Sequence, residues 1–272
     1  MKKLLPIVLC ALIASCSSTP TTTTLTILHT NDTHSQVEPN GKNLGGYARR
    51  MGFIEQERAT DPDLLLLDAG DFSQGSPYFN FFHGRIEIEA LNKMGYDAAT
   101  LGNHEFDNGI DTLAAILKLA NFPIVCANYK VSGTPLEGLV KPYIIIKKKG
   151  LKIGIFGLGV EPGSLIGEKN FFPLEWQEPY PIAQETASML RNEKKCDVVI
   201  CLSHMGTEME EGEYSDTGLA AATRDIDLII GGHTHRVYEL VLKNIDGKDV
   251  IVRQTGKSGI NVGKVLLNVE KR

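Results

Sequence analysis

Leu64-Leu65-Leu66-Leu67-Asp68-Ala69-Gly70-Asp71 decides the architecture of this chain. Four consecutive apolar residues are of strand length, and a run that is apolar on both faces belongs to a strand covered on both sides. The run stops in two carboxylates around Gly70, where a strand turns sharply or lets backbone approach a ligand closely.

The same pattern recurs outward in both directions. Residues 25–28 are a short apolar strand ending in His29-Thr30-Asn31-Asp32-Thr33-His34. Residues 98–101 lead into Gly102-Asn103-His104-Glu105-Phe106-Asp107, residues 198–202 into Ser203-His204, and residues 227–230 into Gly231-Gly232-His233-Thr234-His235. Between them, residues 47–59, 85–94 and 110–119 read as helices, the second stopped by Gly95 and the third with Asp111 as a possible cap. The order β-α-β-α-β-α-β up to residue 127 predicts a mostly parallel sheet. The pattern then changes. Residues 143–147 and 151–157 form a hairpin around Lys149-Gly150, residues 182–192 and 219–223 are helical, and residues 237–242, 250–254 and 263–269 close the chain as antiparallel strands. Residues 77–82, Pro-Tyr-Phe-Asn-Phe-Phe, read as an apolar loop. The expected fold class is α/β: one domain over residues 25–272, with two sheets face to face and helices outside.

The N-terminus has its own layout. Lys2-Lys3 precede the apolar run 4–13, and small residues lead to Cys16. This is the order of a secretory signal peptide over residues 1–15, with too short an apolar run for a spanning helix, which needs about 20 residues. Ile13-Ala14-Ser15-Cys16 resembles a bacterial lipobox, which implies an exported protein held to the membrane by lipid on Cys16. Residues 17–24, rich in Ser, Thr and Pro, then read as a flexible tether. Cys196 and Cys201 flank one strand and should lie roughly 16 Å apart at about 3.3 Å per residue, too far to bridge. With Cys126 they are expected as buried thiols. The formal net charge of −5 and the lack of a basic block beyond the N-terminus argue against a nucleic-acid partner.

Five strand ends therefore carry groups that bind metals: Asp32 with His34, Asp71, Asn103, His204, and His233 with His235. Beyond the carboxyl ends of strands is where open α/β sheets hold ligands. In Asp32-Thr33-His34 and His233-Thr234-His235 the donors are i and i+2, so extended backbone would put both on one side. Carboxylate oxygen mixed with imidazole nitrogen suits Zn, Mn, Fe, Co or Ni better than Ca or Mg. Seven donors exceed the needs of one ion and suit two that share a carboxylate.

In order and spacing, Asp32-x-His34, Gly70-Asp71, Gly102-Asn103-His104-Glu105, His204 and Gly231-Gly232-His233-x-His235 resemble the calcineurin-like metallophosphoesterases. Thr30-Asn31-Asp32, Gln74-Gly75-Ser76 and Glu105-Phe106-Asp107-Asn108-Gly109 resemble the 5′-nucleotidase branch more narrowly. The resemblance implies a four-layer αββα sandwich with a dimetal site at the strand ends. It implies that Asp32, His34 and His235 bind one ion, that Asn103, His204 and His233 bind the other, and that Asp71 bridges. His104 would face the substrate as the catalytic group, oriented by Asp107. The implied activity is hydrolysis of nucleoside 5′-monophosphates or related esters by a metal-bridging hydroxide. Alternatives are a phosphodiesterase or pyrophosphatase acting on cyclic nucleotides or nucleotide sugars, and an inactive metal-binding surface module. Full-length members of that branch carry a C-terminal base-binding domain, so a separate polypeptide bearing it is an expected partner. Glu105 and Asn108 read as loop formers, His29 as a core histidine, and Asp68 as a loop hydrogen-bonder.

Overall fold

The computed structural model describes residues 22–208 and 213–270. The leader, Cys10, Cys16 and most of the expected tether lie outside them.

Two six-stranded mixed sheets form the centre. One runs in the order Gly263–Glu270, Thr22–Thr30, Leu65–Asp68, Ala98–Ala99, Ile124–Val125, Val140–Lys141. Its strands are parallel except for Gly263–Glu270, which is antiparallel to Thr22–Thr30. The other runs Val237–Lys243, Asp249–Thr255, Leu228–Ile230, Val198–Ser203, Leu151–Leu158, Tyr143–Lys148. Its inner strands are parallel and its two edges antiparallel. Tyr129–Lys130 and Glu175–Trp176 form a separate small ribbon.

The apolar runs divide by the period of the strand. Leu64 and Leu66 enter one core with Ile54, Ile88 and Leu113 from the helices Tyr47–Thr60, Arg85–Met94 and Ile110–Leu117. Leu65 and Leu67 point the other way, into a core with Ile155, Ile200 and Ile230 of the second sheet. Val199 and Cys201 leave that sheet on its far face, against Ala183 and Ala187 of Pro179–Ser188 and Leu219 of Asp216–Ala222. Three apolar cores thus separate four layers, which is the expected αββα sandwich. Each buried Leu or Ile contributes roughly 1.5–3 kcal/mol, and all four residues of the 64–67 run are buried.

Several expectations need correction. The first strand begins at Thr22 and pairs with Glu270, so residues 22–24 belong to the sheet and not to the tether. Residues 77–82 form the short helix Pro77–Phe82, with Pro at its N-terminus, where a missing N–H costs nothing. The three closing strands do not form one antiparallel unit. Asp249–Thr255 is parallel to Leu228–Ile230, and Gly263–Glu270 crosses to the first sheet. Cys126, Cys196 and Cys201 are buried free thiols, as expected.

Candidate metal centre

The strand ends Thr30, Asp68 and Ala99 of the first sheet and Ser203 and Ile230 of the second open onto one shared edge of the sandwich. The loops leaving them are cross-linked through backbone. Asp32 N–H donates to Gly70 O at 2.9 Å, His34 N–H to Asp71 O at 3.0 Å, and Ser35 N–H to Phe72 O at 3.0 Å. Asp32, His34, Asp71, His233 and His235 all have positive φ, between 45° and 70°. The i, i+2 donors are therefore not on the extended backbone that their spacing led us to expect. Each turns in the left-handed region, which Asp and His tolerate better than most residues, and such strained positions cluster at functional sites.

Glycine makes the close approach. A Cβ on Gly102 would stand 2.1 Å from Asp71 Oδ1. A Cβ on Gly70, which has φ +87°, would stand 2.6 Å from Gly102 N and 2.9 Å from His204 Nδ1.

The donor atoms converge in two groups. Those of Asp32, His34, Asp71 and His235 lie within 4.8 Å of one another, as do those of Asp71, His204 and His233. Asp71 belongs to both. Asn103 joins the second group through His233, whose Nδ1 lies 3.1 Å from Asn103 Oδ1. Asp32 also approaches the second group, its Oδ1 lying 3.7 Å from His204 Nε2. All seven residues singled out as donors are thus brought to one place.

The donor set fits divalent cations on chemical grounds. Asp32 and Asp71 are fully buried, and no lysine or arginine pairs with either among the described residues. The ion pairs they make are with histidines, His204 above all; burial opposes its charge, but Asp71 and Asp32 raise it to about 10, and a divalent cation would meet the two buried carboxylates better. His34 Nε2 and His235 Nε2 face each other at 2.8 Å, an approach that needs a proton or a cation to hold it. Burial pushes the Asp32 acid up to about 6. Burial also lowers His34 and His233 to about 4, leaving neutral imidazoles ready to ligate. Burial opposes charge on Asp71 too, but His204, 3.0 Å away, outweighs it and holds that carboxyl below the usual range. His204 Nδ1 donates to Ala69 O at 2.6 Å, which fixes the ring and leaves Nε2 to face the centre.

His104 stands beside the centre. Its backbone N–H donates to Asp71 Oδ1 at 2.9 Å, and its Nδ1 meets Asp107 Oδ2 at 2.9 Å. The hydrogen bond to Asp107 raises its pKa, with burial opposing. The His104 ring packs edge-on to His34, 5.4 Å between centroids.

Two residues matter more than their sequence context indicates. Glu105 is no simple loop former. Its Oε2 accepts from Asp71 N at 2.9 Å and Gly102 N at 2.6 Å, and its Oε1 from Ser73 N at 3.0 Å. One buried carboxylate thereby ties the loop of Asp71 to the loop of Asn103. Asn31 donates to Asp32 Oδ2 at 2.6 Å and to Gly256 O, and accepts from Thr255 N and Oγ1. Both lie within the stretches that carry the family resemblance, but nothing local shows that they bond backbone groups distant in the chain. Asp68 accepts from Gly70 N and Thr30 Oγ1, as a loop hydrogen-bonder should. His29 is a buried core histidine, lowered to about 3 by burial. Arg236 is turned to Tyr238, whose hydroxyl it bonds.

The calcineurin-like phosphoesterase family model matches residues 25–237, and the chain belongs to that family. Within it, the chain is similar to 5′-nucleotidases. It is 34% identical over 267 residues to the snake venom 5′-nucleotidase of Gloydius brevicauda, covering 88% of this chain and 44% of the relative. The 5′-nucleotidase precursor structure from Thermus thermophilus matches with a TM-score of 0.80 and 35% identity, over 89% of this chain and 50% of that one. The NAD nucleotidase structure from Haemophilus influenzae matches with a TM-score of 0.81 and 28% identity, over 91% and 47%. This chain spans about half the length of each.

Proposed function

We propose that the chain is a dimetal-dependent phosphomonoesterase acting on nucleoside 5′-monophosphates or related phosphate esters. The observation that carries this reading is the shared Asp71, common to both donor groups, with His104 hydrogen-bonded to its carboxylate through backbone. Asp32, His34 and His235 would hold one ion, Asn103, His204 and His233 the other, with Asp71 between. When bound, the two ions would supply the Lewis acidity that activates water and steadies the phosphoryl oxygens. Zn, Mn, Fe, Co and Ni all suit the mixed oxygen and nitrogen donors.

The residues of the chain set the rest. Two carboxylates against two divalent ions leave the centre net positive, and neutral Asn103 in place of a third carboxylate keeps it so. An anionic phosphate is therefore attracted. His104, held in one orientation by Asp107, would stabilise the charge developing on the phosphate or donate its proton to the leaving alkoxide, a role worth roughly 10²–10⁴-fold.

A second reading, hydrolysis of a nucleotide diester or pyrophosphate, is favoured by the similarity to the NAD nucleotidase. Lipid anchoring at Cys16 on an exported protein remains the reading of residues 1–24 alone, and no helix among the described residues is long and apolar enough to cross a membrane.

The test is the purified chain, loaded with Mn or Zn, against a nucleoside monophosphate, a cyclic nucleotide and a nucleotide sugar. Turnover of the monophosphate, lost in His104→Asn with both metals retained, is expected. Two bound metals with no turnover of any ester would leave the inactive module as the surviving account.

A further inference from the structure

The strand Val237–Lys243 is an open edge of the second sheet. Among the described residues it pairs with Asp249–Thr255 on one side and with no strand on the other. We propose that this edge takes the same edge of a second copy of the chain, antiparallel about a two-fold axis at Val241, so that the sheet runs on through a homodimer.

Three observations carry it. The first is the backbone. Asn244 N–H donates to Lys248 O and Gly256 N–H to Arg236 O, both at 2.9 Å. Residues of an antiparallel ladder alternate between bonding one neighbour and the other. The even-numbered residues from Arg236 to Asn244 therefore bond the inner strand, and Val237, Glu239, Val241 and Lys243 aim their N–H and C=O groups outward. A row of free backbone groups is a template for another strand.

The second is the surface of the edge. The same four residues have exposed side chains. Val237 is 63% exposed and Val241 57%, and Ile245, which continues the row, is 58% exposed. Leu240 and Leu242 turn to the opposite face, where they pack with Leu219. Apolar side chains repeated along one edge are surface that a partner strand would cover.

The third is register. Set antiparallel about Val241, the row is complementary to itself. Val241 faces Val241 of the second copy, Glu239 faces Lys243 in both directions, and Val237 comes against Ile245. Unlike charges directly opposite each other stabilise a strand pair, and like charges destabilise it. A slide of two residues sets the charges against apolar side chains. A slide of four sets Glu239 against Glu239, or Lys243 against Lys243. One register alone matches the whole row, and a self-complementary patch is what a two-fold dimer requires.

Glu239 makes no ion pair within its own chain among the described residues. Lys243 reaches Asp249 at 2.6 Å, but both side chains are more than half exposed, so that pair is worth little and leaves the ammonium free to meet a second carboxylate. The other edge of the sheet, Tyr143–Lys148, offers no such match: it ends in two lysines, and Lys148 is tied to Asp97 of the first sheet.

Sedimentation equilibrium of the purified chain should return the mass of two chains. Glu239→Lys sets lysine against lysine twice in the dimer and should weaken association by at least roughly tenfold, as should Lys243→Glu. The two substitutions together restore both pairs with their signs exchanged, and association should return to within several-fold of wild type. All these side chains are exposed, so the variants should fold. Val241→Cys, which faces its own copy, should give a disulfide-linked dimer on mild oxidation. Glu239→Cys, offset from its copy along the strand, should give no more linked dimer than wild type.

A monomer throughout the micromolar range would overturn the proposal and leave the edge to a strand of another polypeptide. A dimer untouched by Glu239→Lys, or one whose Val241→Cys form links no more than wild type, would place the contact elsewhere and overturn it too.

Discussion

The two sheets bring unlike halves to the metal centre. The first supplies every oxygen donor, Asp32, Asp71 and Asn103, together with His34 and the neighbouring His104. The second supplies imidazoles only: His204, His233 and His235. The first half is deeply buried and cross-linked within itself by three backbone bonds between its loops and by the Glu105 carboxylate. The second is held largely from across the interface. His204 bonds Ala69 O, and His233 N–H donates to Asp32 Oδ1 at 3.0 Å. Its outermost member, His235, has a side chain 35% exposed. The acidic half is thus a preformed frame carrying the charge, and the imidazole half is oriented against it. His204 is the exception in the imidazole half: burial opposes its charge, but Asp71 and Asp32 outweigh that and raise it to about 10, so it partners the acidic half where no lysine or arginine does among the described residues, and a bound cation would take over that role.

The comparison can be broken first at Asp71. Asp71→Asn removes a donor from both groups and should cost about 10³-fold or more in kcat/KM, with both metals lost by elemental analysis, since several kcal/mol of charge stabilisation disappears at about 1.4 kcal/mol per decade. His235→Ala touches one group at the exposed edge. It should leave close to one metal per chain and cost less than Asp71→Asn; equal losses would erase the distinction between the halves.

Glu105→Gln tests whether the frame is preformed. Three N–H groups converge on this carboxylate, so an amide must turn its own NH₂ toward at least one donor. Metal affinity should weaken by about 10–100-fold, the scale for partners that orient ligands. Unchanged affinity would make Glu105 a loop former after all.

Chelation should lower the melting temperature by several degrees, since a ligand at 100 times its Kd adds about 2.7 kcal/mol. Mutants of the frame should lose most of that shift.

The smallest effect is expected away from the centre, at Glu87, which is fully buried and whose acid burial raises. A carboxyl whose folded value lies above its unfolded one loses stability as pH rises from the unfolded value toward the folded one. Glu87→Gln lacks that loss, so its melting temperature relative to wild type should rise by one or two degrees between pH 4 and pH 8. A flat difference would show that Glu87 ionises as readily in the fold as out of it.

The layers were legible because a strand alternates its faces. In 64–67 and 198–202 every residue is apolar, and such runs have to be covered on both sides. The donor residues were legible because each follows such a run directly. Other features were not. Pro77–Phe82 reads as a loop because six residues are too few for a helical period to show. The left-handed backbone of the donors is hidden because Asp and His are also ordinary on extended chain. Glu105 and Asn31 act through backbone groups far away in sequence, and no local pattern marks that.

The sequence by itself therefore determined the strand cores, the number of layers and the side chains available as donors, all of which depend on local order along the chain. Only the tertiary structure decided that these donors fall into two groups sharing Asp71 and that Gly263–Glu270 closes the first sheet. Those are distances between residues far apart in the chain, and they are set by how the two sheets pack on their common apolar face.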